Sequence, residues 1–338
     1  MKIYISGFGS VSRSIIKLLA NKQDDYQMNI RVVGIIGRHG LLEDQSGLNL
    51  QQLLESEPGS AGINAYAKRA EITLQTDYTF RGDVLVEAAP THQAHGEPGY
   101  SYMKQAITDG LDIVAISKGA LVHHFLELME LAQSHQRVIK YSGAVAAALP
   151  TLDVAEYCLA GTTITEFAAV LNGTSNYILS EMMDTGRDFS ESLQRAQEKG
   201  IAETDPSLDV EGIDTANKLV ILANSIFKAN RSYNDASVIG ITNLTKADIL
   251  HAKEKGSKVR LVARATCQDQ IVTLSVKTEF LSNEHPLSHV HGTNKGILFS
   301  TEEMGELFVS GGASSPTGAG SAAIKDLINL TKLERSFS

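Results

Sequence analysis

Lys2-Ile3-Tyr4-Ile5-Ser6-Gly7-Phe8-Gly9-Ser10-Val11-Ser12 runs an apolar, Ile-rich strand directly into a glycine turn. A helical pattern of apolar residues follows at Ile15, Leu18 and Leu19, so the stretch reads as strand, glycine turn, helix. In that setting the glycines let the backbone approach a pyrophosphate, and the helix N-terminus presents oriented N–H groups to it. Gly7 and Gly9 fill the first two positions of the G-x-G-x-x-G fingerprint, with Ser10 and Val11 between them and the third position. The third position is Ser12, small enough for the close helix–strand packing it serves. A glycine turn with no ligand is the bland alternative, and the strand before it and helix after it argue against that.

Outward from this turn the pattern repeats. Buried strands are predicted over 30–36, 84–86 and 113–116, with helices over 98–110 and 120–134 between and after them. Strands alternating with helices indicate βαβ units on a parallel sheet, so the first part is expected to be a Rossmann-type doubly wound α/β domain. Residues 40–70 read as an insertion with one short helix near Leu50–Leu54. After Pro150 the texture changes. A half-buried strand is predicted over 163–171, long helices over 174–199 and 213–229, and strands over 259–266, 271–280 and from 286 to 310. That is an α+β domain with a mostly antiparallel sheet. A last helix over 318–331 is expected to pack back on the first domain. The expected division is therefore 1–149 with 311–338, and 150–310.

The end of the second strand selects the dinucleotide. A carboxylate there would bond a ribose 2′-OH, whereas an Arg accommodates a 2′-phosphate. Gly37-Arg38-His39-Gly40 has no carboxylate, so Arg38 points to NADP, with NAD the other possibility.

Bulk properties narrow the class. The 338 residues are 43% hydrophobic and 20% charged, with a net charge of −9. That balance is ordinary for a folded enzyme and argues against nucleic acid, which needs clustered Lys and Arg. Cys158 and Cys267 are far apart and outside any CxxC motif, so a reducing compartment is expected. With no signal-peptide pattern and no apolar run of about 18–20 residues, the expected location is the cytoplasm, away from membranes.

The most unusual stretch is 200–218, where Glu203, Asp205, Asp209 and Asp214 precede Lys218 on a loop entering a helix. Asp214 and Lys218 are four apart and share one helix face. Such a pair is ordinarily a surface ion pair of little worth. Here the helix continues as Leu219-Val-Ile-Leu-Ala, apolar nearly all round, which marks it as buried. A buried Lys among carboxylates suits acid–base work, such as removing or returning a hydroxyl proton during alcohol oxidation or reduction. The remaining carboxylates suit a substrate ammonium. Lys118 ends a buried strand, where βα loops of open sheets carry ligand sites.

At this density of motifs a family resemblance becomes specific. Glu203-x-Asp205-Pro-x-x-Asp209-x-x-Gly212-x-Asp214-x-x-x-Lys218 resembles the signature of homoserine dehydrogenases. So do Val170–Leu179, Gly96-Glu-Pro98, Ile113–Gly119, Val145–Pro150 and Gly311–Thr317, in the same order and across nearly the whole chain. The resemblance implies NAD(P)-dependent interconversion of L-homoserine and L-aspartate 4-semialdehyde, a step towards threonine and methionine, by a homodimer. It implies a Rossmann domain completed by the C-terminal helix and a second domain for catalysis and dimerisation. Carried over, Lys218 is the proton donor and acceptor. Glu203 and Asp214 bind substrate with Asp209 and Thr174 nearby, and Lys118 sits between cofactor and substrate. Ser10, Val11, Thr91, Gly200, Gly312 and Ala313 line the cofactor.

The chain departs from that pattern in places. Ser117 replaces an Asn, and Ile201 replaces a Tyr whose hydroxyl would contact substrate. A hydroxy-amino acid other than homoserine therefore stays open, as does a non-catalytic nucleotide sensor, against which the retained Lys118, Lys218, Glu203, Asp209 and Asp214 count. In the segment that holds a monovalent cation in many members, the carbonyls map to Val145, Ala147 and Leu149. Ser142 replaces the Glu, and alanines 146–148 replace glycines. Losing a carboxylate weakens a site for a hard cation, so a weak or absent metal site is expected.

Overall fold

The computed structural model of the chain describes residues 1–22, 29–92, 94–312 and 315–336, with side chains through Thr331 in the last helix. Two compact units emerge: Met1–Ala147 with Ser315–Ser338, and Ala148–Ser314.

The first unit contains β1 (Lys2–Ser6), α1 (Ser10–Lys22), β2 (Arg31–Gly37), β3 (Gly40–Glu43), α2 (Leu50–Glu55), α3 (Gly59–Arg69), β4 (Val84–Glu87), α4 (Gly99–Thr108), β5 (Asp112–Ala115), α5 (Gly119–Ser134), β6 (Ile139–Lys140) and α6 (Ser142–Ala146). Its six strands run in the order β3-β2-β1-β4-β5-β6. Neighbours are parallel except β3, which pairs antiparallel with β2 through Gly37↔Gly40. A parallel sheet is covered on both faces, so its strands read as unbroken apolar runs. Ile3-Tyr4-Ile5, Val84-Leu85-Val86 and Ile113-Val114-Ala115 are all buried. Residues 40–70 hold more structure than the single short helix expected: β3 and α3 are there as well as α2. A four-residue strand is too short to show a period, and α3 offers no side-chain cap to announce it.

The second unit contains α7 (Thr151–Asp153), β7 (Ile164–Val170), α8 (Gly173–Thr185), α9 (Phe189–Glu198), α10 (Ser207–Val210), α11 (Ile213–Phe227), β8 (Ala236–Val238), α12 (Lys246–Glu254), β9 (Ser257–Gln268), β10 (Ile271–Ser282), β11 (Lys295–Thr301) and β12 (Gly305–Gly311). The sheet order is β12-β11-β7-β9-β10-β8, antiparallel throughout save for β8 alongside β10. The helix expected over 174–199 is two helices. Gly186 ends α8 in the left-handed conformation, and Asp188 restarts the chain as N-cap of α9, accepting from Glu191 N. The strands expected from 286 begin at Lys295, after a 3₁₀ turn over Pro286–His289.

A final helix, α13 (Pro316–Ser336), belongs to the first unit. Ala323, Ile324, Leu327 and Leu330 join Ile3, Ile5, Ile15 and Leu19 in one buried cluster. Among the described residues, no helix is long and apolar enough to cross a membrane.

Candidate active site

In the first unit the site is built at the C-terminal ends of β1, β4 and β5. The strand order reverses between β1 and β4, the switch point where open α/β sheets bind ligands. Gly7 has φ +79°, and a Cβ on it would lie 2.9 Å from Ala89 Cα and 3.0 Å from the Ala88 carbonyl oxygen. Only glycine lets the β1–α1 turn lie against the loop after β4. Gly9 and Ser10 are exposed at the start of α1, and a Cβ on Gly9 would meet nothing within 4 Å. That open space before the first N–H groups of α1 fits a pyrophosphate. Ser12 is fully buried, and its hydroxyl has no hydrogen-bond partner among the described residues, consistent with a packing position. Val11 packs on the core beside it.

Thr91 joins the same end. Its Cγ2 lies 2.0 Å from where a Cβ on Gly119 would stand, so Thr91 packs on the first residue of α5. Lys118 is the N-cap residue of that helix. Gly7, Gly9, Ser10, Thr91 and Lys118 are thus gathered on adjacent loops. Arg38 is exposed in the turn between β2 and β3, in a shallow depression that Ser60 and Asn64 also line.

Sequence reasoning missed Glu87, the last residue of β4. Its carboxylate is fully buried and accepts from Ala89 N at 3.1 Å, from Ser6 Oγ at 3.3 Å and from Ser117 Oγ. Burial pushes its pKa up, against the hydrogen bonds that pull it down. Glu87 therefore ties together the ends of β1, β4 and β5. Ser117, noted only as a departure from the family pattern, is one of its partners.

In the second unit β7 runs out at Val170, and Asn172 caps α8 by accepting from Ser175 N at 2.9 Å. The acidic loop comes back to this junction. Asn172 Nδ2 donates to Asp209 Oδ1 at 2.5 Å and to Asp214 Oδ2 at 2.9 Å. Lys218 Nζ donates to Asp214 Oδ2 at 2.6 Å and to the Leu171 carbonyl at 3.0 Å. The Lys218 and Asp214 side chains are 11% and 14% exposed, so the pair is sheltered without being sealed. Lys218, Asp209 and Asp214 are brought together, with Asn172 as their hub. Asn172 was not singled out from the sequence, although it sits in a quoted motif and Asn before a helix is a capping signal.

Two further expected site residues make contacts of their own. Thr174 Oγ1 donates to the Ile201 carbonyl at 3.1 Å. Glu203 is exposed, held through its carbonyl by Gln197 Nε2 at 3.1 Å. Gly200 follows α9 at φ +67°, and Gly312 has φ +65° with Leu149 N 2.9 Å from where its Cβ would be. Ala313 lies outside the described residues.

The segment with the expected cation carbonyls places Val145 and Ala147 in the first unit and Leu149 in the second. Ser142 is buried; its Oγ donates to Asp326 Oδ1 at 3.0 Å and accepts from Lys325 Nζ at 2.9 Å, while Ser142 N donates to Asp326 Oδ2 at 3.1 Å. The Asp326 carboxylate beside Ser142 is thus already engaged by the Lys325 ammonium at 3.2 Å, an arrangement that does not favour a metal cation at this position.

A chain with a glycine loop at the switch point of a parallel sheet and a sheltered lysine–carboxylate cluster defines a class: an oxidoreductase that uses a nicotinamide dinucleotide. Two family models match it, "Homoserine dehydrogenase, NAD binding domain" over residues 7–142 and "Homoserine dehydrogenase" over residues 150–328. The chain is 33% identical over 335 residues to a homoserine dehydrogenase of Methanocaldococcus jannaschii, covering 98% of each. It is 32% identical over 338 residues to an NAD(+)-dependent homoserine dehydrogenase of Pseudomonas canavaninivorans, covering 97% of this chain and 96% of that one. The crystal structure of a putative homoserine dehydrogenase from Archaeoglobus fulgidus superposes with a TM-score of 0.85 at 32% identity, over 98% of this chain and 99% of that one. The chain belongs to the homoserine dehydrogenase family, NAD(P)-dependent oxidoreductases that act on a hydroxyl group.

Proposed function

We propose that this protein interconverts L-homoserine and L-aspartate 4-semialdehyde, the first unit holding the dinucleotide and the second the groups that handle substrate. The observation that carries the reading is the hub of Lys218, Asp214, Asp209 and Asn172 at the β7–α8 junction. A bound nicotinamide dinucleotide supplies the acceptor or donor of the hydride. Lys218 Nζ, fixed by Asp214 and the Leu171 carbonyl, takes the hydroxyl proton in oxidation and returns it to the carbonyl oxygen in reduction. Asp209 and Glu203, with Asp214, favour the substrate ammonium, and Lys118 assists from the strand end beside the cofactor loop. Gly7, Gly9, Ser10, Val11 and Thr91 cradle the dinucleotide, with Gly200, Gly312 and Ala313 completing its contacts. Arg38, exposed with no carboxylate at the end of β2, favours the 2′-phosphate of NADP over NAD.

One assay tests this: absorbance of the reduced cofactor, with homoserine or aspartate semialdehyde, in NADP and in NAD. Turnover with both substrates and a lower KM for NADP are expected. Lys218→Ala should lower kcat about 10²-fold or more while cofactor binding holds. Silence with both substrates, or full activity in Lys218→Ala, refutes the reading.

The same reading makes the enzyme independent of alkali cations, because the carboxylate beside Ser142, that of Asp326, is already paired with the Lys325 ammonium. Activity and Tm should be unchanged when sodium and potassium are replaced by tetramethylammonium. A collapse of either shows that a metal ion is needed after all.

A further inference from the structure

The far half of α8 borders a cavity of about 250 Å³ in the second unit, lined among others by Ser180, Asp184, Lys253, Lys258, Arg260 and His291. This is below the roughly 300–1,000 Å³ of pockets for drug-sized ligands and several times the roughly 30 Å³ that one water occupies in the liquid. Its charge is unusual. Arg260 is 1% exposed, and its Nη1 and Nη2 donate to neutral acceptors, the carbonyls of Val259 and Ser288, each at 2.9 Å. Its Nε has no hydrogen-bond partner among the described residues. Among the described residues no carboxylate bonds the guanidinium. Asp184 acts on it only through space and is itself bound by His291 Nε2 at 2.8 Å. Burial without a bonded counter-charge pushes the Arg260 pKa down to about 10. Lys253 and Lys258 add two ammonium groups, neither with an ion-pair partner among the described residues. Three cations thus face one carboxylate that is already engaged. The helix C-termini nearby contribute only about half a negative charge each. An uncompensated buried charge is costly unless something supplies its counterpart.

We propose that this cavity binds a small oxyanion, the size of phosphate or a short dicarboxylate, at a site distinct from the catalytic hub. Asp184 lies twelve residues beyond Asn172, the cap of α8 in that hub, roughly 18 Å away at 1.5 Å per residue, so an occupant leaves the reacting groups uncovered. Lys253 and Lys258 guide the anion in, Ser180 offers a hydroxyl, and Arg260 supplies the positive field beneath it.

The test is calorimetric titration of the full chain with inorganic phosphate and, separately, with succinate. Saturating NADP(H) is kept present throughout so that the glycine loop is already filled. One saturable site is expected. Whichever anion binds more tightly identifies the occupant as phosphate-like or dicarboxylate. Lys258→Met should weaken binding about tenfold, the loss of roughly 1.4 kcal/mol, with turnover unchanged in the absence of the anion. Arg260→Met should abolish binding while the Tm without anion stays level or rises, because a buried charge without a bonded counter-ion has been removed. No saturable response to either anion, or a response that both variants retain in full, overturns the proposal.

Discussion

At the scale of single residues, Glu87 does what no local pattern announces. A carboxyl at the end of an apolar strand reads as a solvated loop residue, yet it is fully buried and bonds the ends of two flanking strands. Its pKa is raised in the fold, so folding favours the protonated form. That contribution is complete below the ordinary glutamate value of 4.5 and is lost as pH rises through the higher folded-state value. Glu87→Gln, which cannot ionise, should therefore gain in Tm relative to the wild type as pH is raised above 4.5. Thermal melts of both proteins across that range check this, and a difference that stays constant with pH contradicts it. Lys218 and Asp214 were legible because they are local, one helical turn apart. Asn172 was not, because its partners Asp209 and Asp214 stand 37 and 42 residues further along.

At the scale of elements, the strands of the first unit were readable because burial on both faces leaves continuous apolar runs. Elements that obey weaker signals were missed. β6 has two residues and β8 three. α12 carries a full capping box, Thr245 with Asp248, which was present in the sequence and not used. α8 shows how an element and a site depend on each other. Asn172 spends its carbonyl oxygen on the helix cap and its amide on two carboxylates. Asn172→Ala should cost about 1 kcal/mol of stability from the lost cap and also lower kcat/KM, as the two carboxylates lose their shared donor. Asn172→Ser keeps a capping oxygen but lacks the amide that bonds the two carboxylates. It should recover stability in denaturant melts without recovering activity. Equal recovery of both would reduce Asn172 to a cap alone.

At the scale of the whole molecule, α13 is the element that most depends on distant sequence. Its apolar residues fill a core whose other members come from the opening strands and helices. Leu327 is fully buried there, so Leu327→Ala should cost about 2–5 kcal/mol, a large part of the 5–15 kcal/mol typical of a domain. Circular dichroism melts should show that loss together with weaker dinucleotide binding; a Tm within a degree or so of the wild type would mean the helix is dispensable. The same arrangement bears on synthesis. Residues 148–314 leave the ribosome before the helix that finishes the first unit. At about 5–20 residues per second, the nascent dinucleotide fold waits on the order of ten to forty seconds with the groove for α13 uncovered. Chaperone occupancy during that interval, and failure of chains terminated before α13 to load cofactor, are the expected consequences of one helix lying so far along the chain from the sheet it completes.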